Sequence, residues 1–157
     1  MALKIFPNYR EKNVEILQDP DERLRKVSRR VIKIDDAVIK LANKLVDVLK
    51  KIDKPYIPWL GMAAPQLGYS LRIIAVKKSS HSYQVMINPE ILEQKWVLPS
   101  ISGCFSLKGL YLIQSPYWSK VTFTTLKGKK QIETFKGGMA ILLKQEIDHL
   151  NGRLICD

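Results

Sequence analysis

Residues 139–152, MAILLKQEIDHLNG, decide how the rest of this chain is read. Apolar residues recur at helical spacing from Met139 to Leu150. Gly137-Gly138 precede the run, and Asn151-Gly152 stop it. Within such a helix Gln145 and His149 stand at i and i+4 and share a face. Glu146 lies about 100° round the axis from Gln145. A carboxylate beside two donor side chains one turn apart is how a helix holds a metal ion and supplies a base, although here a Gln takes the place of the first His. The plainer alternative is a solvated helix face whose His lies near the negative end of the helix dipole.

Outward from this helix the chain reads as strands and one further helix. Residues 37–51 carry Val38, Leu41, Leu45, Val48 and Leu49 at helical spacing, with Asp35 or Asp36 as cap and a stop before Pro55. Residues 15–33 read as a short strand, an Asp-Pro turn and a helical turn. Residues 71–76 (LRIIAV) and 83–87 (YQVMI) read as strands, the second ended by Asn88-Pro89, and 91–97 as a third. Residues 120–127 alternate Val121, Phe123 and Thr125 with polar partners, Lys127-Gly128 supplies a hairpin turn, and 131–135 return. A short strand over 154–156 closes the chain. Strands followed by a helix that carries the chemistry predict an α+β fold, antiparallel or mixed sheet packed around that helix. No linker or internal repeat appears, so residues 1–157 are expected to form a single domain.

Composition narrows the class. The chain has 157 residues, 46% hydrophobic and 26% charged, which excludes disordered and collagen-like classes. No apolar run is long enough to span a bilayer, so no membrane partner is expected. The opening MALKIFPNYREKNVEIL lacks the apolar centre of a secretory signal. Two cysteines, Cys104 and Cys156, are too few for a disulfide framework, which sets the expectation of a reducing, cytoplasmic compartment. The net charge of +11 is clustered in 23–33, 40–54 and 127–130. It suits either a Lys-rich solvated surface or contact with RNA or a ribosome. No specific nucleic-acid motif accompanies it.

Two further stretches carry chemistry. Gly61-Met62-Ala63-Ala64-Pro65-Gln66-Leu67-Gly68 combines small residues, which let a ligand approach backbone, with an amide able to polarise a carbonyl. Alone it reads equally as a tight loop. Ser102-Gly103-Cys104-Phe105-Ser106 sets one thiol among small residues, as a ligand, a nucleophile or an inert buried side chain.

Order and spacing of the three stretches together resemble the peptide deformylase family. Its motifs are Gly-x-Gly-Leu-Ala-Ala-Pro-Gln, then Glu-Gly-Cys-Leu-Ser, then Gln-His-Glu-x-Asp-His-Leu-x-Gly. Residues 146–152, EIDHLNG, match the third outright. Residues 17–25, LQDPDERLR, resemble the family's early Pro-x-x-x-Leu-Arg segment, and 87–91, INPEI, its Asn-Pro strand end. The resemblance spans residues 15–157.

The resemblance implies a hydrolase that removes the formyl group from the N-terminal formyl-methionine of nascent peptides, near the ribosome, using one divalent metal: iron, nickel, cobalt or zinc. By position, Cys104 and His149 would be metal ligands, with Gln145 a weak third. Glu146 would be the general base and then the acid. Gln66 and the Phe105 backbone N–H would hold the oxyanion. The Leu60-Gly61 backbone would pair with the substrate peptide. The sequence departs from the pattern at Gln145 (for the first metal His), Trp59 (for the first Gly), Ser102 (for Glu) and Phe105 (for Leu). His81, the other histidine, falls in a hydrophilic hairpin and is not expected at the site. The chain ends at Asp157, without the C-terminal segment associated in bacterial members with ribosome docking. The alternative to hydrolysis is a metal-free pseudoenzyme, a peptide-binding or regulatory module on the same fold.

Overall fold

The computed structural model describes residues 14–157, and the opening segment through residue 13 lies outside the described residues. Five strands form one antiparallel sheet in the order β1-β2-β3-β4-β5: β1 Gly61–Ala63, β2 Ile73–Ser79, β3 Ser82–Gly103, β4 Leu110–Thr124 and β5 Lys130–Lys136. Helix α1 spans Asp36–Ile52 and α2 Gly138–Leu150. The α+β expectation holds, with all four strand pairs of this sheet antiparallel.

The helices cover opposite faces of the sheet. On β2, Ile73 and Ala75 join the cluster of Leu41, Leu45, Leu49 and Ile52 from α1. Ile74 and Val76 join Leu143, Ile147 and Leu150 from α2. This two-sided burial explains why β2 is a continuous apolar run without alternation. Fully burying each such Leu or Ile contributes about 1.5–3 kcal/mol. Asp35 caps α1, its carboxylate accepting from the Val38 N–H at 3.0 Å.

Asn88-Pro89 bulges the strand and does not end it. Asn88 has φ 50°, and register shifts between Ile87 and Glu90 and again before Glu93. The Asn88 side-chain amide pairs with the Val31 backbone, N–H and C=O each at 2.8 Å, in place of a ladder rung. Pro89, which has no N–H to give, falls within the bulge. The expected breaks at 87–91 and 97 are therefore one strand, and β4 starts ten residues earlier than its alternation suggested. Together these extensions carry the chain out to the hairpin end at Gly103 and Leu110.

Two expected strands are absent. Residues 15–18 form no ladder; their backbone is spent on loops, Leu17 N–H donating to Gln66 O at 2.8 Å. The next segment is the expected turn, a short 3-10 helix over Glu22–Arg25. Residues 154–156 form a turn, because the Asp157 carboxylate accepts from the Leu154 N–H at 2.8 Å and Asp157 N–H returns to Leu154 O at 3.2 Å.

The end of α2 is locked onto that 3-10 turn. Gly152 has φ 72°, and a methyl added to it would lie 2.3 Å from the Arg25 carbonyl oxygen. Gly128 has φ 78° and nothing within 4 Å of an added methyl. Gly128→Ala therefore carries only the left-handed backbone cost of about 1–2 kcal/mol. Gly152→Ala adds an overpacking cost of about 1–3 kcal/mol. Urea unfolding of the two variants should show the larger loss at Gly152; equal losses would mean that the Arg25 backbone gives way freely.

Candidate functional site

The β3–β4 hairpin end brings Cys104 to α2. Cys104 Sγ lies 3.3 Å from His149 Nε2, and both side chains are buried. The Cys104 loop is held from below: Asp19 N–H donates to Ser106 O at 2.9 Å and Gln18 Nε2 to Phe105 O at 2.8 Å. Cys156 is exposed, both thiols are free, and no bridge joins them.

Gln66 is buried in the short 3-10 helix Ala64–Leu67 that follows β1. Its Oε1 accepts from the Ala63 N–H at 2.9 Å. Its Nε2 donates to Ser106 Oγ at 3.1 Å and lies 3.7 Å from Cys104 Sγ. The amide thus ties the first stretch to the second while reaching the thiol.

Gln145, one turn before His149, has both ends of its amide engaged. Its Oε1 accepts from Ser102 Oγ at 2.9 Å, and its Nε2 donates to Gly103 O at 3.2 Å. Only an NH2 group can satisfy the Gly103 carbonyl, which assigns the amide orientation. Two of the sequence departures, Ser102 and Gln145, are therefore bonded to each other.

Glu146 is buried beside β1. A methyl on Gly61 would lie 2.9 Å from both Cγ and Oε1 of Glu146, so only glycine lets the strand pass this carboxyl. Lys77 N–H donates to Leu60 O at 2.8 Å, which makes Gly61–Val76 a non-hydrogen-bonded pair. The Gly61 N–H and C=O consequently point to the outer edge of the sheet, whereas the Leu60 carbonyl is already used by β2. Of the expected Leu60-Gly61 pairing surface, Gly61 supplies the outward groups.

Burial keeps this cluster uncharged at neutral pH. It pushes the Cys104 thiol up to about 12 and the Glu146 carboxyl up to about 8. It lowers His149 to about 4, assisted by the Arg25 charge. Glu146 Oε2 and His149 Nδ1 are buried without a hydrogen-bond partner among the described residues. Such atoms are costly unless a water or a ligand's polar group satisfies them, which marks this cleft as one that takes a small polar guest.

The donor set can be tested against the ion that the resemblance implies. A thiolate and an imidazole on one tetrahedral ion stand about 3.5 Å apart, close to the separation of Cys104 and His149. The third side chain does not fit. A neutral amide oxygen is a hard donor ill matched to thiolate-preferring ions, and that of Gln145 already accepts from Ser102. Among the described residues no three His, Cys, Asp or Glu side chains gather as an ion-holding group. The residues suit two-point contact and not the three-ligand ion. His81 is exposed at the β2–β3 turn, bonded to Ser80 Oγ at 2.8 Å.

The sequence reading missed what lies beside the site. Trp59 packs on Gly138, the first residue of α2, and Tyr117 on Gly137. The paired glycines at the start of α2, Gly137 as cap and Gly138 as first residue, were legible only as a helix boundary.

The polypeptide deformylase family model matches residues 13–157. A peptide deformylase of Afipia carboxidovorans is 36% identical over 149 residues, covering 91% of this chain and 84% of the relative. One of Desulfotalea psychrophila is 32% identical over 150 residues, covering 92% and 86%. The crystal structure of peptide deformylase from Thermotoga maritima superposes with a TM-score of 0.82 at 30% identity, covering 90% of this chain and 94% of that one.

The Gly61–Glu146 approach yields a coupling measurement. Gly61→Ala should destabilise by about 1–3 kcal/mol through overpacking. In a Glu146→Ala background the methyl finds room and the cost should fall, a coupling above about 0.5 kcal/mol in a double-mutant cycle. Strict additivity would show that Glu146 does not confront the strand in solution.

Proposed function

The chain belongs to the polypeptide deformylase family, and on that premise we propose that it receives the formylated methionyl end of a nascent peptide in the cleft between Gly61 and α2, with hydrolysis impaired at its ion site. The amide of Gln145, tied to Ser102 and Gly103 where a third donor is needed, carries this reading.

The chain's own groups account for binding. An extended peptide would add to the outer edge of β1, exchanging backbone hydrogen bonds with Gly61. A formyl oxygen arriving beside Cys104 would take the Gln66 Nε2 proton that now faces sulfur at 3.7 Å, while the proton donated to Ser106 stays in place. The Phe105 backbone N–H is read as the second donor to that oxygen. Glu146, held against Gly61, is the carboxyl able to move a proton at the scissile amide. In this family a bound divalent ion supplies the activated water. The third donor does not fit that ion, so the binding and proton-moving roles rest on the chain's own groups.

We read the setting as cytoplasmic and close to the ribosome, where formylated chains emerge. The net charge of +11 supports that surrounding. Among the described residues no helix is long and apolar enough to cross a membrane.

The separation of Cys104 and His149 favours a second reading, hydrolysis with an unusual metal held by two protein ligands. Metal stoichiometry in protein prepared without air, formyl-Met-Ala turnover and peptide binding, measured for wild type and Gln145→His, separate the readings. Gln145→His should tighten metal binding at least about 10-fold and raise turnover with it. Wild type should bind the peptide while turning it over slowly. A wild type that matches the variant in both metal and turnover would remove the claim of impairment. A protein that binds no formyl peptide would remove the substrate reading itself.

A further inference from the structure

The far end of the β3–β4 ladder extends past its neighbours. Strand β2 pairs with β3 only as far as Ile87, and β5 with β4 only from Trp118, so residues 97–103 and 110–116 run on as a two-stranded ribbon. Ser102 of this ribbon reaches Gln145 of α2. Side chains alternate along a strand, so Ser100 and Ser102 of β3, with Ser115 on β4, face the helix. Val97, Pro99 and Ile101, with Leu110, Leu112 and Gln114, face the other way. The usual pattern is reversed: small polar side chains point inward and aliphatic ones point to water. Leu112 is 76% exposed, and Ile101, its cross-strand partner, 71%. Val97 and Leu110 are exposed as well, so no described segment covers this face.

The ribbon is also poor in charge. Between Lys95 and Lys120 the sequence holds one charged side chain, Lys108, although the whole chain carries 26 basic and 15 acidic residues. Lys95, at the root, lies over the Trp118 ring, 4.7 Å from its centroid, and pairs with Glu93 at 3.0 Å. Strands left bare to water are normally guarded by charges, lysine above all, and such guards are missing here. A contiguous apolar surface of this kind marks a contact site. A polyanion drawn to the net charge of +11 would find no cation between Val97 and Ile101 to pair with. A second copy meets a different situation. Two molecules of this charge repel wherever their basic surfaces approach, and on this face they can touch without bringing like charges together.

We propose that this outward face is an interface between two copies of the chain, stacked ribbon on ribbon about a two-fold axis. The same side chains then serve both partners, with the Ile101–Leu112 rung of each copy near the axis. Stacked β faces sit about 10 Å apart, a spacing that aliphatic side chains fill by interdigitating. The four aliphatic side chains with Pro99 and Gln114 expose on the order of 500 Å² per copy, or about 1,000 Å² for the pair, the lower limit of a specific interface. Association is therefore weak and set by protein concentration. It leaves the cleft free, because Ser102 and α2 lie on the opposite side of the ribbon.

The test is sedimentation velocity on the full chain from about 1 to about 300 μM, in low and high sodium chloride. The weight-average mass should rise from that of one copy toward twice that value. The dissociation constant should fall several-fold as salt screens the repulsion between copies. Contact through charged surfaces has the opposite salt dependence, so association that weakens with salt overturns the proposal. Leu112→Glu and Leu112→Lys each put a charge into the face and should weaken association at least about 10-fold. Leu112 is exposed, so neither change removes packing within one copy, and circular dichroism checks each fold. Ile32→Glu, at a side chain 94% exposed outside the ribbon, alters net charge as Leu112→Glu does and should leave the constant within about two-fold. Mixing the Leu112→Glu and Leu112→Lys proteins should restore association, since opposite charges then meet across the axis. An equal loss in Ile32→Glu, no loss in either Leu112 variant, or no recovery on mixing overturns the two-fold face. A wild type monomeric at every concentration and salt also overturns it, and binding of that monomer to phosphatidylglycerol vesicles would assign the face to lipid.

Discussion

One buried amide holds the cleft together. Gln66 accepts from Ala63 at the end of β1, donates to Ser106 beyond the hairpin and reaches the Cys104 thiol, while its backbone carbonyl takes the Leu17 N–H. Segments far apart in sequence thus meet on a single residue. None of these bonds is strong alone, since a neutral hydrogen bond nets about 1 kcal/mol. Their weight lies in the asymmetry of burial: losing the side chain would strand a backbone N–H and a hydroxyl in a water-poor interior. The position of Cys104 beside α2 follows from this amide and from the backbone bonds that clasp its loop.

The same reasoning makes sense of two of the four departures from the family pattern, which contact each other. Ser102 and Gln145 share a hydrogen bond, and Trp59 presses on Gly138. A Ser facing this amide leaves both polar groups satisfied, whereas a carboxylate beside the same amide oxygen would be a buried charge without a partner. Likewise an indole and a side chain cannot both occupy the space over residue 138. Ser102 and Gln145 therefore read as a paired replacement that keeps the interior satisfied. That argument concerns packing and polarity, and it holds whether or not turnover survives.

How far this could be read beforehand depended on where the determining signal lay. Both long helices were legible because their apolar periodicity is local, and the Asp35-Asp36 pair announced the start of α1, with the structure choosing Asp35 as cap. The long strands were not, because Asn88-Pro89 looks like a stop unless Val31, far away in sequence, is known to pair with the Asn88 amide. The false strand at 154–156 fails for a related reason: a side chain, Asp157, takes the N–H that a ladder would have used. At the site, Cys104, Gln145, Glu146 and His149 were singled out by residue type and spacing and given roles only by the family resemblance; the fold sets Cys104 beside His149 and Gln145 against Ser102 and Gly103. What spacing cannot express is engagement. Nothing in a one-dimensional pattern shows that the Gln145 amide is occupied at both ends, or that the Trp59 ring lies over Gly138.

Helix α2 is where these constraints converge. Its sheet-facing stripe, Leu143, Ile147 and Leu150, is anchored in the core. Its N-terminus is pinned where the Gly137 N–H donates to Tyr117 O at 2.7 Å, and its C-terminus by the Gly152 turn against Arg25. With both ends and one face held, the helix cannot slide or rotate to suit a guest. The spacing between Gln145 and His149 along the helix is therefore set by helical rise. A scaffold held in this way keeps His149 within reach of Cys104 and Gln145 against the Gly103 carbonyl, so a single change of side chain at 145 acts on the site itself and is not absorbed by movement of the helix.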